Sequence, residues 1–292
     1  MKFAPVIIVG MHRSGTTMVT ELLEKLGLFV GGKKEVNNEA LFFIQMNTWL
    51  MREANASWDN PYNFLFINEF FRKNTRRVLE MHLKSRKSID FLGSERFRRY
   101  RDIRNLDVPW GWKDPRNTFT MDIWHEIFPE ARVLHVYRNP LDVAESLRVR
   151  EAAKNAAIIE HGLRLRGFRL WKREATLKRR VGYQDSFMLT DIHENIRLWE
   201  AYTRKALSLD NLLGANIMHV KYEALLENFQ EQFSSILDFV GFSSKLPDLA
   251  LLAGHVRSDR KYAFTRDDNL VTIYNAMKQN PLMEMLGYDD IC

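Results

Sequence analysis

Residues 5–17, with the sequence PVIIVGMHRSGTT, decide the fold. The run begins with apolar and mostly β-branched residues, which is typical of a short buried strand. Gly10 and Gly15 bound the loop that follows, and residues 18–26 carry apolar side chains at a helical spacing. A strand, a glycine-bounded loop and a helix form a phosphate-binding loop, because the free N–H groups at the helix start point into the turn. The stretch therefore predicts a binding site for a phosphate or a similar oxyanion.

The loop differs from that of nucleoside triphosphatases. Those enzymes use G-x-x-x-x-G-K-[ST], in which the lysine contacts the β- and γ-phosphates and the next hydroxyl binds Mg²⁺. Here Thr16 stands at the lysine position, and the cation is Arg13, inside the loop. We find no convincing strand that ends in an aspartate able to bind Mg²⁺. We therefore expect backbone amides, Arg13 and the hydroxyls of Thr16 and Thr17 to bind the anion without a metal.

Length and composition are those of an ordinary globular protein. With 292 residues, 46% hydrophobic and 27% charged, it can bury a large core. We predict a single domain over residues 1–292, with helical or irregular insertions at 54–109 and 151–190. The single cysteine, Cys292, allows no intrachain disulfide, and no apolar run reaches the ~20 residues of a membrane span. The N-terminal apolar run is too short for a signal peptide, so we expect a cytoplasmic protein.

The positive charge is concentrated in two segments. Residues 72–104 carry twelve Lys and Arg against four acidic residues, and residues 151–182 carry nine against three, in a chain of net charge +6. These segments are either solvated helical faces or surfaces for an acidic acceptor or an anionic membrane, the latter through basic helices. We find no helix-turn-helix, zinc or RNA-binding signature, so we expect no nucleic-acid partner.

A second motif, Lys113-Asp114-Pro115-Arg116, follows a short apolar strand at residues 110–113. Pro115 ends that strand, and Asn117 or Thr118 is expected to cap the next helix. Ligands of open α/β sheets bind beyond the carboxyl ends of the strands, where Lys113 and Arg116 would lie. The alternative is an ion pair of Asp114 with one of these cations.

A third motif lies at the end of the strand at residues 132–137. Arg138 follows this strand directly, and Ser146 lies two helical turns further on, near the reach of any group that Arg138 binds. Alone, an arginine at a strand end is often part of a salt bridge. Together with the N-terminal loop, it predicts a second anion site.

The polar loop after the first helix contains Glu35 and Glu39, which are candidate general bases if the loop returns over the site. Each glutamate could instead be a solvated charge or a helix cap. Residues 90–107 are charged and weakly patterned, and we expect an exposed excursion there. A further strand is predicted at 215–220 and an amphipathic helix at 224–239. Alternating strands and helices predict an α/β fold with a mainly parallel sheet and helices on both faces.

The three motifs together resemble the sulfotransferases that use 3′-phosphoadenosine 5′-phosphosulfate (PAPS). The resemblance is greatest to the branch that contains bacterial and tyrosylprotein sulfotransferases. It implies a P-loop-like three-layer fold and in-line, metal-independent transfer of a sulfuryl group to an acceptor hydroxyl on a carbohydrate, lipid, tyrosine or small molecule. It covers the sheet-forming parts of the chain, residues 2–38, 110–150 and 215–241.

The resemblance also implies roles for individual residues. The 5′-phosphosulfate would be bound by the loop residues Arg13, Ser14, Gly15, Thr16 and Thr17. Arg138 and Ser146 would bind the 3′-phosphate, with a C-terminal basic loop formed by Arg257, Arg260 and Lys261.

The remaining implied roles concern the adenine and the chemistry. Tyr222 would lie near the adenine, and Lys113 would support the transferred group beside Arg13. Glu39 is the first choice of base and Glu35 the second. Two other readings stay open at this point: a metal-dependent P-loop nucleotide kinase or hydrolase, and a non-enzymatic anion- or nucleotide-binding module.

Overall fold

A four-stranded parallel sheet organises the chain, with strand order β2-β1-β3-β4. In this computed structural model, residues 3–164, 186–242, 252 and 260–291 are described, those at 157–164 by their backbone alone. β1 lies between two partners, since Val6 pairs with Gly111 on one side and with Arg132 on the other. The predicted mainly parallel sheet is confirmed. The strands are β1 (Val6–Val9), β2 (Gly111–Lys113), β3 (Arg132–Tyr137) and β4 (Ile217–Lys221).

Helices connect the strands and cover both faces of the sheet. None of the described helices is long and apolar enough to cross a membrane. In chain order the described helices are α1 (Thr16–Lys25), α2 (Leu41–Glu53), α3 (Glu69–Leu83), α4 (Ile89–Tyr100), α5 (Asn117–Ile127), α6 (Pro140–Arg164), α7 (Ile192–Ser208), α8 (Asp210–Leu213), α9 (Tyr222–Glu227), α10 (Phe229–Val240), α11 (Asp268–Met277) and α12 (Pro281–Met285).

The side chains of β1 alternate between two hydrophobic cores, as the two-residue period of a strand requires. Ile7 and Val9 belong to the larger core, which α2, α5 and α7 complete. Val6 and Ile8 belong to the smaller one, which contains residues of α1 and α10. All four side chains are buried, so β1 reads as a continuous apolar run. The predicted three-layer α/β fold is confirmed.

Residues 90–107 correct an expectation. They are not an exposed excursion: most form α4, and Phe91, Phe97 and Ile103 are buried in the larger core. The ring of Phe91 packs edge-on against Trp110, at the start of β2, with centroids 5.8 Å apart. This burial depends on contacts with parts of the chain that are distant in sequence. The charged, weakly patterned sequence of residues 90–107 therefore does not predict it.

The start of α5 also differs from the prediction. Neither Asn117 nor Thr118 caps the helix, which begins after Arg116 without a side-chain cap. Instead the Asn117 Oδ1 accepts a hydrogen bond of 2.8 Å from Asn47, and the Thr118 hydroxyl accepts one of 3.2 Å from the N–H of Gly10. The second motif is therefore joined directly to the N-terminal loop.

Two further helices bear on the sequence predictions. The helix after β3 continues to Arg164 and so includes the beginning of the basic segment 151–182; the rest of that segment, from 165, lies outside the described residues. The helix predicted at 224–239 is divided at Asn228 into α9 and α10. Gly241 ends α10 in the left-handed conformation.

Two histidines face each other across the pairing of β3 with β4. His135 and His219 are directly paired, and their Nδ1 atoms lie 2.7 Å apart. The Nε2–H of His219 donates a hydrogen bond of 2.7 Å to the Asp210 carboxylate. The Nδ1 of His219 is then free of a proton and accepts a hydrogen bond from the Nδ1–H of His135. Burial, and secondarily His219, lowers the pKa of His135 from 6.5 to about 3. Burial therefore keeps His135 uncharged at neutral pH.

The lowered pKa of His135 predicts a loss of stability in acid. The unfolded chain protonates His135 below pH 6.5, whereas the folded chain protonates it only near pH 3. The contribution of neutral His135 to the free energy of unfolding is therefore fully present above pH 6.5 and decreases as the pH falls towards 3. Urea unfolding of His135→Gln should show a pH dependence weaker by roughly 2–4 kcal/mol over this range. His193→Gln, at an exposed position, is the control and should behave as wild type. Equal pH dependence in all three proteins would contradict this account.

Candidate active site

The N-terminal loop places backbone donors around a small concave surface. Gly10 and Gly15 both have positive φ angles, 132° and 96°. A Cβ on Gly10 would lie 2.2 Å from the carbonyl oxygen of Val136, so only glycine allows the loop to leave the sheet this closely. Gly15 is the N-cap of α1, and no side chain caps that helix. The first-turn N–H groups and the positive end of the helix dipole thus stay available for an anion.

Arg13 carries positive charge into this loop. Its backbone also has a positive φ, 73°, and its Nε donates a hydrogen bond of 2.9 Å to the Ser146 hydroxyl on α6. Burial lowers the pKa of Arg13, and the nearby cations Arg260 and Arg138 lower it further. Within the described residues, no carboxylate forms an ion pair with Arg13 or Arg260. The loop therefore holds positive charge that lacks a protein counter-charge.

Arg138 lies beside this charge, at the end of β3. Its Nη2 donates to the Asp142 carboxylate at 2.9 Å and to the carbonyl oxygen of Arg260 at 2.5 Å. Its guanidinium carbon lies 4.8 Å from the centre of the Tyr222 ring. The buried Nε has no hydrogen-bond partner among the described residues. Arg138 is thus fixed in position and keeps a donor available.

Tyr222 closes the loop from the side of β4. A Cβ on Gly15 would lie 2.3 Å from its ring, so the ring packs directly against the loop backbone. The neighbouring Glu223 is buried and accepts hydrogen bonds from the N–H of Asn139, at 2.8 Å, and from the Tyr288 hydroxyl, at 2.7 Å. Burial raises the pKa of Glu223. These bonds tie the residue after Arg138 to the residue after Tyr222.

Glu39 and Lys113 form a buried ion pair in the same site. Lys113 Nζ lies 2.9 Å from the Glu39 carboxylate and 3.4 Å from the Thr17 hydroxyl. Arg116 contacts the other Glu39 oxygen at 3.6 Å and pairs with Asp114 at 2.8 Å. The ion pair considered for Asp114 therefore forms with Arg116, while Lys113 pairs with Glu39.

Most of the predicted site residues line one cavity of about 210 Å³. Ser14 is not among its lining residues, and its buried hydroxyl has no hydrogen-bond partner among the described residues. The predicted residues that line the cavity are Arg13, Gly15, Thr16, Thr17, Glu39, Lys113, Arg138, Ser146, Tyr222 and Arg260.

Besides Ser14, two described residues of the prediction, Glu35 and Lys261, are not among those that line the cavity. Glu35 is exposed, and its N–H donates to the carbonyl oxygen of Glu39 at 2.9 Å, which supports the loop that carries Glu39. Lys261 forms an ion pair with Glu227. Arg257 lies outside the described residues.

His12 and Arg150 also line the cavity and are absent from the sequence-based list. Burial, with several nearby arginines and a lysine, lowers the pKa of His12 well below 6.5, so its imidazole is neutral at pH 7. Burial also lowers the pKa of Arg150 to about 10, although Glu151 opposes the shift. A signal for Arg150 exists in the sequence: it lies four residues after Ser146, on the same face of α6. Within the described ranges, no three acidic, His or Cys side chains form a metal-binding group.

Comparison with known proteins identifies the class to which this fold and site belong. The chain belongs to the sulfotransferase family, whose sequence profile matches residues 5–245. It is therefore a transferase, and specifically a sulfotransferase, which confirms the family predicted from the three motifs. No curated protein matches the sequence significantly.

Several solved structures are similar in fold. The sulfotransferase domain of the Synechococcus PCC 7002 olefin synthase aligns over 90% of this chain and 81% of its own, with 15% identity and a TM-score of 0.44. A sulfotransferase of Mycobacterium tuberculosis aligns over 90% and 74%, with 12% identity and a TM-score of 0.44. A sulfotransferase of Alicyclobacillus acidocaldarius aligns over 95% and 96%, with 15% identity and a TM-score of 0.43. The family assignment rests on the sequence match.

The contact of Gly15 with Tyr222 leads to a test of the loop. Gly15→Ala should destabilise the protein more than Gly27→Ala, because both glycines have positive φ but only Gly15 has a neighbour within 4 Å. Urea unfolding should give a cost of about 1 kcal/mol for Gly27→Ala. Gly15→Ala should cost a further ~1–3 kcal/mol because its Cβ clashes with the Tyr222 ring. In a chain that already carries Tyr222→Ala, this additional cost of Gly15→Ala should disappear. Equal costs for the two glycines would show that the ring does not confine the loop.

Proposed function

We propose that this sulfotransferase uses PAPS as its donor and transfers the sulfuryl group to a hydroxyl of the acceptor, without a metal ion. The observation that carries the proposal is the uncompensated charge of Arg13 at the uncapped start of α1, beside Arg138 and Arg260. A donor with anionic groups at both its 5′ and 3′ positions matches a site with cations at two places. The buried, unpartnered hydroxyl of Ser14 and Nε of Arg138 support the fit, because each is a polar atom in need of a partner.

The geometry supports a division of the site into two anion-binding parts. We assign the 5′-phosphosulfate to the loop amides, Arg13 and the hydroxyls of Thr16 and Thr17. We assign the 3′-phosphate to Arg138 and Ser146. Arg13 and Ser146 are hydrogen-bonded at 2.9 Å, so the two parts are in contact.

Tyr222 and Arg260 would border the two anion-binding parts. Tyr222 stands between the loop and Arg138, where its ring offers a flat apolar surface to the adenine. Arg260, joined through its carbonyl to Arg138, adds a cation on the exposed side. Arg257 and Lys261 remain predictions for the same phosphate.

The donor supplies an activated sulfuryl group whose bond to the phosphate breaks with charge build-up on the bridging oxygen. We assign the stabilisation of that charge to Arg13 and Lys113, which is the role that fixed dipoles and charges usually play in such sites. Lys113 is held by Glu39 and Thr17, so its position does not depend on bound ligands. The cations of the protein thus do the work that Mg²⁺ does in kinases.

Glu39 is the proposed general base. Its carboxylate lines the cavity and is held by Lys113 at 2.9 Å, with Arg116 at 3.6 Å on its other side. An acceptor hydroxyl must lose its proton as it attacks, and a carboxylate within hydrogen-bond reach can take it. Glu35, the alternative base, is exposed and is not among the cavity-lining residues. Carbohydrate, lipid, tyrosine and small-molecule hydroxyls all suit this chemistry, and an anionic acceptor remains a prediction from the basic segments 72–104 and 151–182.

The assignment of the 3′-phosphate predicts how ligands bind. In calorimetry with EDTA, the product nucleotide 3′-phosphoadenosine 5′-phosphate should bind more tightly than AMP. Arg138→Ala should weaken the bisphosphate by about tenfold to hundredfold, the size of a lost charged hydrogen bond, and leave AMP nearly unchanged. Arg138→Lys should recover part of the lost affinity. Lys25→Ala, at an exposed position on α1, is the control and should bind both nucleotides as the wild type does. Equal weakening of both nucleotides would move the 3′-phosphate away from Arg138.

The assignment of the base predicts a second result. Glu39→Gln should lower the transfer rate by about 10²–10³ while leaving the affinity for the product nucleotide nearly unchanged, since the amide keeps the shape but loses the basicity. The matched control is Glu35→Gln, which changes the other glutamate of the same loop and should keep the wild-type rate. A large loss in Glu35→Gln with little in Glu39→Gln would reverse the assignment.

A further inference from the structure

The outer face of α3 has an unusual composition. Phe70, Lys73, Arg77, Met81 and Lys84 follow one another at intervals of three or four residues, which places them along one side of the helix and its C-cap. All five side chains are exposed, Phe70 by 77% and Met81 by 52%. The opposite side of the helix carries the core contacts, through Thr75, Leu79 and Leu83. This outer face, with its two apolar and three cationic side chains, is therefore not needed to pack the protein.

The positive charge of this face is not balanced by the protein. Within the described residues, none of Lys73, Arg77 and Lys84 forms an ion pair. The acidic residues of α3 are Glu69, in its first turn, and Glu80, which pairs with Arg76 instead. Further cations without an ion pair in that part of the chain are Arg72, Arg86 and Lys87.

The apolar part continues into the turn before α3. Phe66 is 83% exposed and Leu65 is 49% exposed, directly ahead of the helix. Exposed phenylalanines at this density, next to uncompensated lysine and arginine, are typical of a surface that meets a partner. The arrangement matches a helix that lies in the interface of a membrane, with aromatic and aliphatic side chains entering and cations at the head groups.

We propose that the outer face of α3, together with Leu65 and Phe66, binds the surface of an anionic phospholipid bilayer. The face is a convex helix surface, which suits a flat partner. A second copy of this chain is disfavoured as the occupant, because the same cations would then face each other. This inference goes beyond the proposed function and does not depend on it.

The test is co-sedimentation of the full chain with vesicles. The protein should bind vesicles of phosphatidylcholine mixed with phosphatidylglycerol, should bind phosphatidylcholine alone weakly, and should be released by salt. Lys73→Glu with Arg77→Glu should weaken binding at least 25-fold, since each cation near an anionic surface contributes a factor of about five. Phe66→Ser with Phe70→Ser should weaken binding about tenfold or more, because the variant lacks the two rings whose burial in the bilayer contributes to binding.

Matched variants elsewhere on the surface make the test specific. Lys25→Glu with Lys278→Glu changes the net charge equally, and Met285→Ser removes another side chain that is 69% exposed; both should bind vesicles like wild type. Circular dichroism and urea unfolding show that each variant is folded, independently of any ligand. The proposal is overturned if the α3 variants and the controls lose binding equally, or if wild type does not bind anionic vesicles. It is also overturned if the phenylalanine variant abolishes a dimer in solution, which would assign the face to self-association.

Discussion

The positive charge at the mouth of the N-terminal loop is the constraint on which the site depends. A partly buried guanidinium normally has a carboxylate partner, because desolvation of an unpaired charge is costly. Arg13 has none among the described residues, and the cations Arg138 and Arg260 lie near it. The fold holds this charge in place through glycine backbone geometry, the Ser146 hydroxyl and the ring of Tyr222. Such an arrangement is stable with an anion as the missing partner.

The other cations of the site are organised differently. Lys113 and Arg116 each pair with a carboxylate, Glu39 and Asp114, and both pairs are buried. The Lys113–Glu39 pair joins the end of β2 to the loop before α2, while the Arg116–Asp114 pair fixes the conformation of the second motif itself. The site therefore combines charges that are balanced by a carboxylate with charges that have no protein partner among the described residues. In the proposed function, the unbalanced charges bind the donor and the balanced ones hold the proposed base in position.

Short-range patterns predicted the parts of the structure that short-range physics determines. The strand, loop and helix at residues 5–26 are consecutive, so glycine spacing and apolar periodicity were sufficient. The cations Lys113 and Arg138 were found because parallel strands bring their carboxyl ends to one edge of a sheet. Arg138 and Ser146 both line the cavity, as the eight residues between the end of β3 and Ser146 suggested.

What the sequence did not predict depends on distant contacts. The burial of Phe91 and Phe97 requires packing partners that are far away in the chain. Glu39 lines the cavity and Glu35 does not, because Glu39 pairs with Lys113, which lies 74 residues further along the chain and approaches it only in the folded sheet.

The central claim is that this loop binds a sulfuryl donor rather than a nucleoside triphosphate. The most direct measurement offers the enzyme a pooled library of hydroxyl acceptors, once with PAPS labelled in its sulfuryl group and EDTA, and once with ATP labelled in its γ-phosphate and Mg²⁺. The account predicts labelled acceptor from PAPS in the absence of metal and none from ATP. Label transferred from ATP and not from PAPS would contradict it and would make the loop that of a kinase.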